Sequence, residues 1–159
     1  MQAPAMIDER GFAPYGSVFP AQPGSRDEAV AAWTALAGTR YGSPLEARRL
    51  SLGAAGPVTI VEVHPRSPQL TVSFDSDWII RVLPSGLGPD DLPGATLASF
   101  TVPAGVGVIL DAGLWHTPVL AKAPTEVLVV FREGTTEHGT DWTERTEPLL
   151  FDDQVTPGR

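Results

Sequence analysis

Gly105-Val-Gly-Val-Ile-Leu-Asp-Ala-Gly-Leu-Trp-His116-Thr-Pro118 is the stretch on which the fold and the chemistry of this chain turn. The apolar run Val106 to Leu110 has the length of a strand, and Asp111-Ala-Gly113 supplies the turn that ends it. The chain leaves that turn as Trp115-His116-Thr117-Pro118. Histidine is the one side chain whose ordinary pKa lies near neutrality, so it can carry protons or bind a metal. Beside a large aromatic, backed by a proline and set at the rim of a barrel, His116 would meet a small ligand. With no ligand, the same residue is a buried, hydrogen-bonded histidine at a strand end.

The same period of two recurs on either side. Arg48 to Leu52, Val58 to His64, Leu70 to Phe74, Trp78 to Leu83, Thr96 to Val102, Gly105 to Leu110 and Val127 to Arg132 all suit strands. Glycine and proline number 16 each and are spread through the chain, which punctuates many short strands. The pattern predicts a mainly β fold, a small barrel or sandwich with one short helix. That helix is expected over Ser25 to Gly38, where Ser25 can cap, Glu28 follows three residues on, and Val30, Trp33 and Leu36 fall at helical spacing. Phe12 to Phe19 reads as a turn leading into an edge strand. Asp141 to Phe151 reads as irregular, packing Trp142, Leu149 and Phe151 onto the outside.

At 159 residues the chain fits one domain, 1–159, with no internal repeat or linker. Hydrophobic residues make up 42% and charged residues 19%, a globular balance; the net charge of −8 disfavours nucleic acid or an anionic membrane as partner. No cysteine is present, which excludes disulfides, thiolate metal sites and a cysteine nucleophile. No apolar run approaches a membrane span, and the first residues carry neither a basic start nor a long apolar block, so a cytoplasmic protein is expected.

Among residues able to carry chemistry, alternation puts Glu62 and His64 on one face of their strand, with Val61 and Val63 on the other. A carboxylate and an imidazole sharing a face can orient each other for acid–base work, or both can simply face solvent. Arg81 interrupts the apolar Ile79-Ile80-Arg81-Val82-Leu83, so if that strand is buried it needs an anionic partner, either a substrate carboxylate or an Asp or Glu. Arg132 repeats the pattern after Val127-Leu-Val-Val-Phe131. Metal binding needs three or four converging ligands. His64, His116, Glu62 and one more carboxylate would be the candidates, His138 lying in what reads as an exposed loop tip. The spacing does not ask for a metal or other cofactor, and no glycine-rich phosphate loop is present.

Several of these motifs, in order, resemble the ureidoglycolate lyase family, enzymes of allantoin breakdown with a cupin-like β-barrel. Phe12-Ala-Pro-Tyr-Gly-Ser-Val-Phe19 looks like the opening F-x-x-Y-G-x-V of that family. Glu62 with His64-Pro65 and Gln69 resembles its E-R-H-P-x-x-x-Q element. Pro89-Asp90, Ala98-Ser-Phe100, Gly105-Val-Gly-Val108 and Gly113-Leu-Trp-His116-Thr-Pro118 follow its central block, and Phe131-Arg-Glu-Gly134 with Asp141 its D-R-x-G and trailing aspartate. The chain departs from the pattern at Thr117, where a second histidine is usual, at Phe131, where an aspartate is usual, and near Ala54, where an early arginine is missing.

The resemblance implies a carbon–nitrogen lyase that splits ureidoglycolate into urea and glyoxylate. It implies His116 as base or acid with Glu62 and His64 as counterpart, Arg81 or Arg132 holding the carboxylate, and Gln69 and Trp115 shaping the pocket. It also implies a homodimer acting on a small molecule. The departures leave open a lyase, isomerase or hydrolase of another small carboxylated or amide-bearing metabolite, or a non-catalytic domain that binds a small ligand.

Overall fold

The computed structural model describes residues 5–19, 44–53, 58–91, 97–121, 123–144 and 151–152. The expected helix over Ser25 to Gly38 lies outside them, as do Ala54 and Leu149. In chain order the elements are β1 (Ala5–Met6), α1 (Glu9–Phe12), β2 (Gly16–Phe19), β3 (Leu45–Leu52), β4 (Ile60–Val63), β5 (Gln69–Ser73) and β6 (Trp78–Val82). A 3-10 turn at Pro89–Asp91 precedes β7 (Leu97–Val102), β8 (Gly107–Leu110), β9 (Leu120–Ala121), β10 (Thr125–Arg132), α2 (Thr135–His138), β11 (Asp141–Glu144) and β12 (Phe151–Asp152).

One five-stranded sheet runs β1-β7-β6-β9, with β12 also on β7; the second runs β2-β8-β5-β10-β3 and is antiparallel throughout. The two sheets make a sandwich, not a closed barrel. Between them Trp78, Ile80 and Val82 of β6 meet Ala98, Phe100 and Val102 of β7 and Val108 and Leu110 of β8, with Phe12 and Leu114 completing the cluster. Period-two alternation sends the strand residues among them inward. Burying a side chain of this size contributes roughly 1.5–3 kcal/mol. The opposite face of β6 and β7 is also covered: Val58, Val61, Leu83 and Leu97 form a second cluster with Trp115 and Leu120 against it.

Two features of this architecture position the site. Along β5 the inward face is polar. Gln69, Thr71 and Ser73 are buried, in register with core-facing Leu110 and Val108 on one side and Val129 and Val127 on the other. The pair β11-β4 joins the first sheet through one residue, His116, which bridges Glu62 of β4 and Val82 of β6.

The strands expected from the sequence are present with ends shifted by up to three residues, and β2 is an edge strand as read. The irregular reading of Asp141 to Phe151 is corrected. Asp141–Glu144 is a strand whose backbone takes up the free edge of β4, from Asp141 opposite Val63 to Glu144 opposite Ile60. Phe151–Asp152 pairs parallel with β7. A pairing imposed by a waiting edge leaves little trace in local composition. The loop-tip reading of His138 also changes: it ends the short helix α2, and it is exposed.

Candidate active site

His116 is placed by what surrounds it in sequence. Gly113 sits at φ +81°, a left-handed turn conformation suited to glycine, and returns the chain into the sandwich. Leu114 then enters the core, Trp115 packs against the opposite face, and alternation turns His116 inward beside Val82. Glu62 donates its N–H to the His116 carbonyl at 2.8 Å and accepts the His116 N–H at 2.9 Å. That backbone pairing sets the two side chains on one face, with Glu62 Oε1 3.5 Å from His116 Nε2. His64, two residues beyond Glu62, falls on the same face, its ring centre 5.3 Å from that of His116.

The hydrogen bonds fix which ring nitrogens face the centre. His116 Nδ1 lies 2.9 Å from the Leu114 carbonyl, which can only accept, so Nδ1 carries the proton. The Nε2 lone pair is then turned toward two oxygens, Glu62 Oε1 and, at 3.1 Å, Gln69 Oε1. A lone pair facing two acceptors is mismatched unless a proton or a cation lies between them. Gln69 is steered by its own amide, which donates to Thr71 Oγ1 at 3.0 Å. His64 Nδ1 meets the Thr140 hydroxyl at 3.0 Å, while its Nε2 is buried with no hydrogen-bond partner among the described residues. Phe131 closes the far side of His64, edge to face at 4.8 Å.

The electrostatics follow from burial in this arrangement. Desolvation, and then the repulsion of a charged His116, push the His64 pKa down from 6.5 to about 4, so the ring is neutral at neutral pH. Burial works against the charged form of Glu62, yet the hydrogen bond from His116, and the attraction of His116 and then His64 when those rings carry charge, hold its carboxyl below the usual range. The donor atoms of Glu62, His64 and His116 all lie within 4.8 Å of one another. Two imidazoles and a carboxylate, with a buried imidazole nitrogen left unpaired, fit a divalent first-row cation with open positions for water or substrate.

Not every residue singled out from the sequence joins this cluster. Gln69 does, through its contact with His116. Arg81 points to the opposite face of β6 from Val82 and His116, where its guanidinium reaches Ser99 at 3.2 Å. Trp115 lies on that opposite face too. Arg132 is exposed, donates to the Arg66 carbonyl, and lines a polar cavity of about 230 Å³ with Arg66, Glu133, Gly134, Thr135 and Gly139. Thr117, where a histidine is usual in the family, is fully buried with its hydroxyl unpartnered among the described residues. Thr71 and Thr140 escaped the sequence reading. Thr140 contacts His64 across 76 positions of sequence, and no local pattern marks it.

Among solved structures the fold is similar to an oxalate oxidase in complex with the substrate analogue glycolate (21% identity, 61% of this chain and 45% of that one, TM-score 0.44). It is also similar to Bacillus subtilis oxalate decarboxylase, described for its Mn(II) centres (14% identity, 90% of this chain and 30% of that one, TM-score 0.43). A 3,4-ketoisomerase from Helicobacter canadensis matches at 14% identity, over 60% of this chain and 66% of that one, with a TM-score of 0.42. The chain thus spans less than half the length of the first two. No curated protein sequence matches it. The family model described as ureidoglycolate lyase matches residues 2–152, and the chain belongs to the ureidoglycolate lyase family.

Proposed function

We propose that this protein is a carbon–nitrogen lyase that releases urea and glyoxylate from ureidoglycolate. The observation that carries the reading is the convergence of Glu62, His64 and His116 inside the sandwich of a chain that belongs to this family. The reaction removes one proton from the carbinol hydroxyl, forms a carbonyl, breaks the C–N bond and returns one proton to the departing urea nitrogen. One proton carrier can serve both ends. Glu62 is the candidate: it is ionised at neutral pH and its side chain keeps 25% exposure, against 1% for His116, so it is the member of the cluster that a substrate reaches. His116 backs it at 3.5 Å, stabilising the carboxylate or sharing the proton. Gln69 fixes the His116 ring, and Phe131 excludes water behind His64.

A divalent cation held by His64, His116 and one oxygen of Glu62 would supply positive charge for the substrate's carboxylate and carbinol oxygens. Arg81 and Arg132 lie outside the cluster, so neither is assigned that role. The same displacement favours, as a second reading, a lyase, isomerase or hydrolase of a related small carboxylated or amide-bearing molecule.

The test is urea and glyoxylate release from racemic ureidoglycolate by purified protein, as isolated, after chelation, and after addition of Mn²⁺ or Zn²⁺. Turnover by the wild-type chain that disappears in His116→Ala is the expected result. A folded wild-type protein that releases neither product under any metal condition would remove ureidoglycolate as substrate and leave the second reading.

A further inference from the structure

The Thr140 hydroxyl joins two hydrogen bonds: His64 Nδ1 lies 3.0 Å from it, and it donates to the Thr135 carbonyl at 3.1 Å. A hydroxyl has a single proton. With that proton given to Thr135, the oxygen can only accept from His64, which places the ring proton on Nδ1 and leaves Nε2 as a bare lone pair. Nε2 makes no hydrogen bond among the described residues, as suits a nitrogen without a proton.

The seat that holds Thr140 is itself fixed. Gly134 begins the turn at φ +79°, and the Glu46 carboxylate accepts the N–H groups of Gly134 and Thr136. The Thr135 hydroxyl donates to the Arg132 carbonyl at 2.7 Å. At Gly139 a Cβ would stand 3.0 Å from Thr135 Cα, so the chain passes Thr135 closely just before it presents Thr140.

We infer that Thr140 is a positioning residue: it locks His64 as the Nδ1–H tautomer and so aims the Nε2 lone pair at Glu62 and His116. His116 receives the same instruction from a backbone carbonyl, which no substitution removes. His64 receives it from a side chain, which substitution can. Outer partners of this kind orient a ligating or proton-carrying imidazole and raise its basicity. The consequence for catalysis rests on the function proposed above, whereas the tautomer itself does not.

The experiment is long-range ¹H–¹⁵N correlation on metal-free, ¹⁵N-labelled protein at neutral pH, with the His64 ring assigned by its absence in His64→Gln. The wild type and Thr140→Ser are expected to show a neutral His64 ring protonated on Nδ1. Thr140→Val and the smaller Thr140→Ala should move the proton, wholly or in part, to Nε2. An Nε2–H ring in the wild type, or an unchanged ring in both hydroxyl-free variants, overturns the inference. In a Zn²⁺ titration followed by calorimetry, loss of the hydroxyl should weaken binding by about 10–100-fold while Thr140→Ser stays near wild type. Equal affinity in Thr140→Val and wild type would again overturn it. A wild type that binds no Zn²⁺ would count against the cation in the proposed function, and the ring pattern would still decide the part played by Thr140.

Discussion

Glu62 on β4 and His116 on the link between β8 and β9 face each other as a doubly hydrogen-bonded backbone pair, and their side chains meet at 3.5 Å. The contact is imposed by the sheet and does not depend on two flexible side chains finding one another. A substitution that keeps the backbone pairing therefore changes the chemistry while sparing the fold.

Glu62→Gln is the cleanest such change, since it preserves size and hydrogen-bonding reach but cannot accept a proton. It should reduce turnover of the true substrate by about 10²–10⁴-fold, the usual contribution of a placed acid or base. Its thermal midpoint in metal-free buffer should stay close to that of the wild type. Steady-state kinetics beside a melt settles it, and wild-type turnover in a folded variant would remove Glu62 as the proton carrier.

Stability should fall on acidification. His64 binds a proton near pH 6.5 when unfolded, but only near pH 4 in the buried site. Between those values the unfolded chain takes up a proton that the folded chain refuses, so the contribution is complete above the upper value and is lost as pH falls toward the lower one. Glu62, held below its ordinary range, acts in the same direction at the acid end. The loss from His64 is at most on the order of 3 kcal/mol. Urea midpoints measured in chelator should decline across this window in the wild type and decline less in His64→Gln. A profile that the substitution leaves unaltered would show that His64 is not buried in the neutral form.

The β2–β8 pairing should tolerate no side chain at Gly16. Its φ is +152°, and a Cβ there would lie 1.8 Å from the Ile109 carbonyl oxygen. The clash is with backbone, so no rotamer relieves it, and the strands must part. Gly16→Ala should destabilise the chain by about 3 kcal/mol or more, beyond the usual range for single substitutions. Chemical denaturation provides the check. A loss under about 1 kcal/mol would show that β2 can shift to make room.

Much of this was legible in the sequence, for identifiable reasons. The strands of the core announce themselves because Ile80, Val82, Phe100 and Val108 alternate with residues of the other face. Glu62, His64 and His116 could be grouped because the period of two puts the first two on one face and the Gly113 turn aims the third inward. Where a residue's position depends on which face of a strand is the core, the sequence leaves alternatives open, as it does for Arg81 between a substrate carboxylate and an Asp or Glu partner. Arg81 is one step from Val82, and that step takes it away from His116. Gln69, read as a pocket residue, contacts His116, and Thr71 and Ser73 share its buried face of β5. Thr140 escaped notice and the segment of β11 read as irregular, since each is defined by a contact across the fold and not by its neighbours in sequence.

Trp115 gives this distinction a direct test. The family resemblance assigns it to the pocket as the neighbour of His116, but the structure packs it against Val58, Val61, Leu83 and Leu97 on the other side of the sheet. Trp115→Ala should therefore remove apolar contact and lower stability by roughly 1–3 kcal/mol, less than for a fully buried tryptophan because the side chain is only partly covered. The KM for the substrate should change little, and any fall in kcat should follow the fraction of folded protein. Gln69→Leu should do the reverse. It places an apolar side chain of similar size against the core, but takes the oxygen 3.1 Å from His116 Nε2 out of the site. Kinetics and melting curves on the two variants separate the faces of the strand. A large rise in KM for Trp115→Ala in folded protein would mean that substrate reaches the face opposite His116.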